Sequence, residues 1–457
     1  MTSTNGGIIL AAGKGTRLKS TLPKPLQMLA GMPLIEYSLR LCDSASLSTV
    51  CVVVDPKANS LRDAIGHRAI VIPQDSDGYG TGHALKSASP YYENLDGTLV
   101  VLYADTPLIR PETINSLVAA RESTNAVISC LTAKAEDPGG YGRIIRDSSG
   151  TITSIREASS CTNDELRISE FNTGVMAFDS CWLRNAITKL KLDIEHNETL
   201  LTDIVSIAIS SGEIVTSTLL VDSTEGLGCN TRAELAIAEK YLWQRKALEL
   251  MATGVRIQHP DTTYIDQDVV VGEDSNILAG THLEGKTIVG RGSLIGPRTT
   301  LSNSTVEDGC EIRESTVEDS VVKSACTIGP YSHLRPGTVL ADNVHVGNYA
   351  EVKNSYVGEG TQIGHFSYIG DAKLGNQVNI GAGVVTCNFD GKNKNQTRIG
   401  DDSFVGSGSM LVAPVTIGTK CVVGAGSVVT RSIPDGIKAY GNPAKAQPKP
   451  GEILGNE

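Results

Sequence analysis

The chain has 457 residues, room for two or three domains. A formal net charge of −11 and a pI near 5.3 deny it the basic footprint of a nucleic-acid-binding surface. Only 4% of residues are aromatic while glycines number 47, which suits thin coils better than a bulky sandwich. The ten cysteines form no CxxC pair and no cysteine–histidine cluster at zinc spacing, so they read as small buried thiols in a reducing compartment. The first apolar stretch, 8–12, has no basic segment before it and stops at Gly13, too short for a signal or a membrane span. A soluble cytoplasmic protein, not inserted in a membrane, is expected.

Residues 1–229 read as one domain. Apolar strand candidates at 7–12, 50–54, 98–102 and 126–131 alternate with helical stretches, the pattern of a doubly wound, largely parallel α/β sheet. Ligands of such sheets sit at the carboxyl ends of the strands. The first candidate runs into Leu10-Ala11-Ala12-Gly13-Lys14-Gly15-Thr16-Arg17-Leu18. Glycines directly after a buried strand let backbone N–H groups approach an anion. The P-loop spacing GxxxxGK[ST] is absent, and Leu18 stands where a dinucleotide fingerprint needs its third glycine. Alone, this loop is either a phosphate cradle or a plain tight turn. Leu22-Pro23-Lys24-Pro25 then adds a third basic side chain to Lys14 and Arg17, making a clamp suited to a triphosphate. Asp105 closes the third strand candidate and reads either as a Mg²⁺ ligand beside phosphate oxygens or as a strand-end cap. Thr231 and Glu234 form a T-x-x-E capping box ahead of Ala236, Ile237, Leu242 and Leu248, predicting a linker helix over 230–251.

Residues 252–457 follow a different rule. Ile399, Val405, Leu411, Ile417, Val423 and Val429 stand six apart, and four of them precede a glycine. A period of six fits neither a helix nor an isolated strand; it fits a coil that returns to the same wall every six residues. The comb extends back through Ile328, Leu334, Leu340, Val346 and Val352, steps by five to Val357, continues at Ile363 and Ile369, and steps by five again to Leu374 and then Ile380. Weaker echoes lie at Val271, Ile288, Leu294, Val306, Ile312 and Val321. A parallel β-solenoid from about 253 to 440 is predicted, with flat faces open to self-association. The comb stops between Val385 and Ile399 for a polar, lysine-bearing excursion over 386–398, a binding-loop pattern. His365 directly follows a hexad glycine; by itself a lone histidine reads as structural.

The motifs LAAGKGTRL and LPKPL, coupled to a hexapeptide coil, closely resemble the family of bifunctional N-acetylglucosamine-1-phosphate uridylyltransferases/glucosamine-1-phosphate acetyltransferases, over residues from about 7 to about 430. The resemblance implies a Rossmann-like nucleotidyltransferase domain, a left-handed parallel β-helix, and a homotrimer assembled through that helix. It implies UTP held by Leu10, Ala11, Ala12, Gly13, Lys24, Gln74, Gly80 and Thr81, the last two in a Gly80-Thr81-Gly82-His83-Ala84 segment that with Gln74 recognises uracil. Tyr103, Gly142, Glu157, Asn172 and Asn230 match its sugar positions, and Asp105 with Asn230 its magnesium ligands. The implied reaction is in-line attack of a sugar-1-phosphate oxygen on the α-phosphorus of UTP, with Arg17 and Lys24 on the transition-state charge.

In the coil, the resemblance makes His365 the general base of acetyl transfer from acetyl-CoA to glucosamine-1-phosphate, a task that suits an imidazole. Arg335, Lys353, Tyr368, Asn379 and Lys394 match the contacts to that sugar phosphate; Ala382, Asn388, Phe389, Ser407 and Ala425 match acetyl-CoA positions. No cysteine stands at a nucleophile's place, so direct transfer is implied. The product, UDP-N-acetylglucosamine, feeds peptidoglycan and lipopolysaccharide precursors in this family. One departure stands out. Where the family carries an arginine for coenzyme A, this chain reads Ala439-Tyr440-Gly441-Asn442-Pro443-Ala444-Lys445. Either Lys445 serves the cofactor's phosphates or coenzyme A is held more loosely. The proline-rich segment beyond reads as a flexible tail. Two other readings remain at this point: a single-function nucleotidyltransferase with a structural coil, and a non-catalytic nucleotide-sugar sensor.

Overall fold

A computed structural model of the chain describes residues 5–75, 78–193 and 198–447. Of the flexible tail expected after Lys445, 446–447 belong to the strand Lys445–Gln447, and the rest lies outside the described residues. The chain divides into two compact units, Met1–Tyr241 and Leu242–Glu457. The division falls inside the helix Arg232–Ala252. That helix opens on the expected box: Glu234 accepts from the Thr231 N–H at 2.7 Å and Thr231 Oγ1 accepts from the Glu234 N–H at 3.2 Å. The first-turn N–H groups that no helical carbonyl can reach are satisfied this way.

In the first unit the central sheet runs, edge to edge, Val215–Leu219, Ile128–Lys134, Glu170–Asp179, Thr98–Tyr103, Gly6–Ala11, Thr49–Val54, Ile70–Pro73. All neighbours are parallel except Glu170–Asp179, which is antiparallel to both of its own. The hairpin Arg143–Arg146 and Ile152–Arg156 joins this strand through Phe171 and Arg143. Strand residues alternate between two cores. Ile8 and Leu10 pack on one face with Leu85, Leu183 and Ile204; Ile9 and Ala11 pack on the other with Ile35, Leu39, Leu61 and Leu117. Burial on both faces is why these strands read as unbroken apolar runs.

The second unit is a left-handed parallel β-helix whose coils each lay one short strand in three sheets, of 12, 10 and 9 strands. Successive coils pair in register, Val346 with Ile363, Ile363 with Ile380, and Ile380 with Val405. The strong comb positions form the core: Val405, Leu411, Ile417 and Val423 are all fully buried. Three weaker positions are corrected. Ile288 is 46% exposed, and Leu294 and Val321 are only partly covered, whereas Val289, Ile295 and Val322 fill the core. Each pair consists of two adjacent apolar residues, so the sequence could not tell which one faces inward; registry with Val306 and Ile312 settles it. The comb also lasts one step longer than its aliphatics. Thr386 sits in the core wall opposite Leu411, with its hydroxyl accepting from the Gly370 N–H at 2.7 Å. With Val385–Cys387 and Thr397–Ile399 both in sheets, the excursion proper is 388–396. No helix among the described residues is long and apolar enough to cross a membrane.

Candidate active sites

In the first unit the loop after Gly6–Ala11 meets the ends of Thr98–Tyr103 and Ile70–Pro73 around a cavity of 170 Å³, lined by Leu10, Ala11, Ala12, Gly13, Lys24, Gln74, Gly80, Thr81, Tyr103 and Asp105 among others. A left-handed turn at Gly15, φ 59°, brings the loop against Lys24; a Cβ there would lie 2.7 Å from Lys24 Cβ. Only glycine fits that conformation and that approach. Lys24 Nζ is ion-paired with Asp105 and donates to Asn230 Oδ1 at 2.8 Å, and the Arg17 guanidinium donates to the same Asn230 oxygen at 2.8 Å. Arg17 thus reaches the site through Asn230 from outside the cavity lining. Lys14 lies 5.2 Å over the Tyr79 ring.

Gln74 is buried, and its Nε2 has no hydrogen-bond partner. A buried amide donor costs about 1–3 kcal/mol when left unpaired. Gln74 lines the cavity, so a ligand acceptor there would relieve that cost.

A second cavity of 260 Å³ shares Thr81, Tyr103 and Asp105 with the first and adds Gly142, Glu157, Asn172 and Asn230. The five expected sugar positions therefore converge. Local bonds hold the lining in place: Glu157 accepts from Thr202 Oγ1 at 2.8 Å, Asn172 Oδ1 accepts from the Gly174 N–H at 3.1 Å, and Tyr141 Oη accepts from the Gly228 N–H at 2.8 Å. Burial pushes the phenols of Tyr103 and Tyr141 up, so both keep their protons at neutral pH. Thr202, Tyr79 and Leu200 line these cavities without having carried a sequence signal. Among the described residues no three His, Cys, Asp or Glu side chains converge as a metal cage.

In the coil, one corner carries a ladder. Asn348 pairs with His365, and the pairing of Ile363, Ile380, Val405 and Val423 in successive coils puts Ala382, Ser407 and Ala425 on the rungs beyond. Glycines precede these rungs because the coils touch there: a Cβ on Gly381 would lie 2.5 Å from the Ser407 nitrogen. The next corner position holds aromatics up to the histidine, with Tyr331 on Tyr349 at 5.3 Å and Tyr349 on Phe366 at 5.2 Å, and only glycines past it, at Gly383, Gly408 and Gly426. A trough of small residues thus begins at His365. His365 Nδ1 lies 2.5 Å from Asn348 Oδ1.

On the adjoining sheet Arg335 pairs in register with Lys353. Lys394, from the excursion, faces Lys353; that neighbouring ammonium holds the Lys394 amine below its ordinary range, while Lys353 moves up. Asp371 lies 3.6 Å from Lys353 and accepts from Asn388, tying the excursion down. Asp390 closes the excursion on itself, accepting from the Lys392 and Asn393 N–H groups at 2.8 and 2.7 Å. Tyr368 turns over Gly370, the register partner of Lys353. Three cations outnumber the two carboxylates beside them, Asp371 near Lys353 and Glu351 at 2.9 Å from Arg335, and leave a positive cluster suited to an anion. Asn379 stands apart, at the start of its strand on the histidine's sheet, and Phe389 is exposed on the excursion, bridged to Lys394. Lys445 is exposed on Lys445–Gln447, which pairs back onto Lys438–Tyr440.

An α/β unit with a cation-lined loop at its first strand, joined in one chain to a hexapeptide coil, belongs to the class of nucleotidyltransferase–hexapeptide transferase fusions. Residues 7–168 match the MobA-like NTP transferase domain, 396–431 the hexapeptide repeat of succinyl-transferase, and 263–348 the GMPPB C-terminal domain. The chain is 41% identical to the bifunctional protein GlmU of Carboxydothermus hydrogenoformans over 94% of its own length and 96% of that protein's. It is 41% identical to that of Pelobacter propionicus over 94% of each chain, and 42% identical to that of Enterococcus faecalis over 90% and 89%. This chain belongs to the bifunctional GlmU family.

Proposed function

We propose that this enzyme makes UDP-N-acetylglucosamine in two steps, acetylating glucosamine-1-phosphate with acetyl-CoA and then transferring a uridylyl group from UTP to N-acetylglucosamine-1-phosphate. The observation that carries this reading is the presence of two chemically different convergent sets in one chain: the Lys24–Asp105–Asn230 cluster and the His365 trough beside three cations.

In the uridylyl site, Lys24 and Arg17 face the phosphates, and Gln74 offers its unpaired amide N–H to a uracil carbonyl. Asp105 and Asn230 fit a magnesium ion. A carboxylate and an amide oxygen already meet on one ammonium nitrogen, and hard divalent cations take oxygen ligands of this kind. When bound, that ion neutralises phosphate charge. Tyr103, Gly142, Glu157 and Asn172 orient the sugar phosphate for in-line attack. Replacing Gln74 with alanine is expected to lower kcat/KM for UTP by about 10–100-fold, the effect of losing one bond to a buried partner. It should also narrow the preference for UTP over CTP, measured as pyrophosphate release from each nucleotide.

In the acetyl site, Arg335, Lys353 and Lys394 hold the sugar phosphate, with Tyr368 and Asn379 on the sugar. Acetyl-CoA lies along Ala382, Ser407 and Ala425, with Asn388 and Phe389 at its reactive end. The amine nitrogen bonds to the thioester carbonyl carbon, the amine's proton passes to His365 Nε2, the carbon–sulfur bond breaks, and the departing coenzyme A thiolate takes that proton from the imidazolium to leave as its thiol. Burial raises the thiol of Cys387, the cysteine next to this site, and so disfavours an acyl-enzyme. The coil's flat sheets and its excursion suit a homotrimer, and the chemistry suits the cytoplasm.

The test is one reaction containing UTP, Mg²⁺, acetyl-CoA and glucosamine-1-phosphate, followed for free thiol and pyrophosphate. Both products are expected. Pyrophosphate appearing only when N-acetylglucosamine-1-phosphate is supplied would mean a single-function enzyme with a structural coil, and neither product would mean a sensor.

A further inference from the structure

We infer that Asn348 is a positioning residue for acetyl transfer, one that fixes the tautomer and aim of His365; the inference rests on the reading of His365 as the base. The contact is built into the fold. Asn348 ends the strand His345–Asn348, His365 ends Gln362–His365 one coil later, and the two are register partners. After each strand the following residue is an aromatic with positive φ, Tyr349 at 58° and Phe366 at 50°, and these rings stack at 5.2 Å with planes 5° apart. The stacked pair locks the two corners together, so the Asn348 amide oxygen meets the imidazole at a fixed 2.5 Å.

An amide oxygen only accepts, so the ring nitrogen facing it must carry the proton. That nitrogen is Nδ1. The lone pair then stands at Nε2, on the side away from Asn348, where an incoming ammonium can deliver its proton. Because asparagine is neutral, it orients the ring without stabilising the imidazolium in the way a carboxylate would. Few other groups compete for the ring. His345, on the same strand as Asn348, is bonded to Thr327 at 2.7 Å, and burial and then His365 hold its protonation down. Tyr368 lies three residues on, and the facing strand Asn379–Ile380 carries no ionisable side chain.

The experiment uses the full-length chain labelled with ¹⁵N-histidine, with His365 assigned by its loss in His365→Gln. The wild-type neutral ring is expected to carry its proton on Nδ1. In Asn348→Ala the proton should move largely to Nε2, and kcat for acetyl transfer should fall by about 100-fold with KM values within a factor of about two. That is less than the roughly 10⁴-fold that a wrong tautomer costs a serine protease triad. Asn348→Asp should restore the Nδ1 proton and most of kcat, while moving the acidic limb of the pH–rate profile upward, because a carboxylate favours the imidazolium. A wild-type ring protonated on Nε2 would overturn the inference, even if the alanine variant does not fold. So would unchanged kcat in Asn348→Ala. Full acetylation by His365→Ala would instead sink the base assignment and leave the ring tautomer readable.

Discussion

Lys24→Ala is expected to lower UTP-dependent pyrophosphate release by about 10³-fold or more, the scale of losing a cation that stabilises charge in phosphoryl-type transfer. Acetyl transfer from the same sample should be unchanged. The size follows from what Lys24 touches. Its ammonium is the shared partner of Asp105 and Asn230, so truncation removes a phosphate-facing charge and leaves the Asp105 carboxylate without its cation. Arginine should rescue only in part, since Arg17 already donates to the same Asn230 oxygen and a planar guanidinium cannot reproduce a point charge. Initial rates with saturating UTP and Mg²⁺ measure the effect. Pyrophosphate release within tenfold of wild type would remove Lys24 from the reaction, and loss of both activities together would indicate a folding defect.

That prediction joins residues the sequence alone could not join. Lys24 and Asn230 lie 206 positions apart, and no spacing rule links them; what was legible was the residue type at the end of each segment. The coil was easier, because a solenoid repeats its own evidence every turn and each aliphatic reports the same wall. Where two apolar neighbours competed, as at Ile288 and Val289, the comb lost its phase, since only pairing with the next coil decides which one turns inward. Thr386 hid a core position behind a hydroxyl that bonds backbone on the preceding coil. The strand Glu170–Asp179 escaped notice for a related reason. Its first half carries Asn172, Thr173 and Gly174 and slips register before Met176, so it lacks the apolar run of its neighbours. In both units the stretch that broke the local pattern held side chains of the proposed sites.

His365→Ala is expected to lower acetylation of glucosamine-1-phosphate by about 10²–10⁴-fold, the ordinary range for a general base, with uridylyl transfer intact. The geometry distinguishes lost chemistry from lost binding. The phosphate site of Arg335, Lys353 and Lys394 lies on the adjoining sheet, and the trough of Ala382, Ser407 and Ala425 continues past the histidine, so neither is dismantled when the ring is removed. KM for both substrates should therefore stay within a few-fold while kcat collapses, the pattern of an interaction made chiefly in the transition state. Without a base, the reaction must draw on substrate amine that has already lost its proton. The residual rate should then climb steadily with pH where the wild-type rate has levelled off. A residual rate that stays flat with pH, or a loss confined to KM, would make His365 a substrate contact and move the proton acceptor elsewhere along the corner ladder.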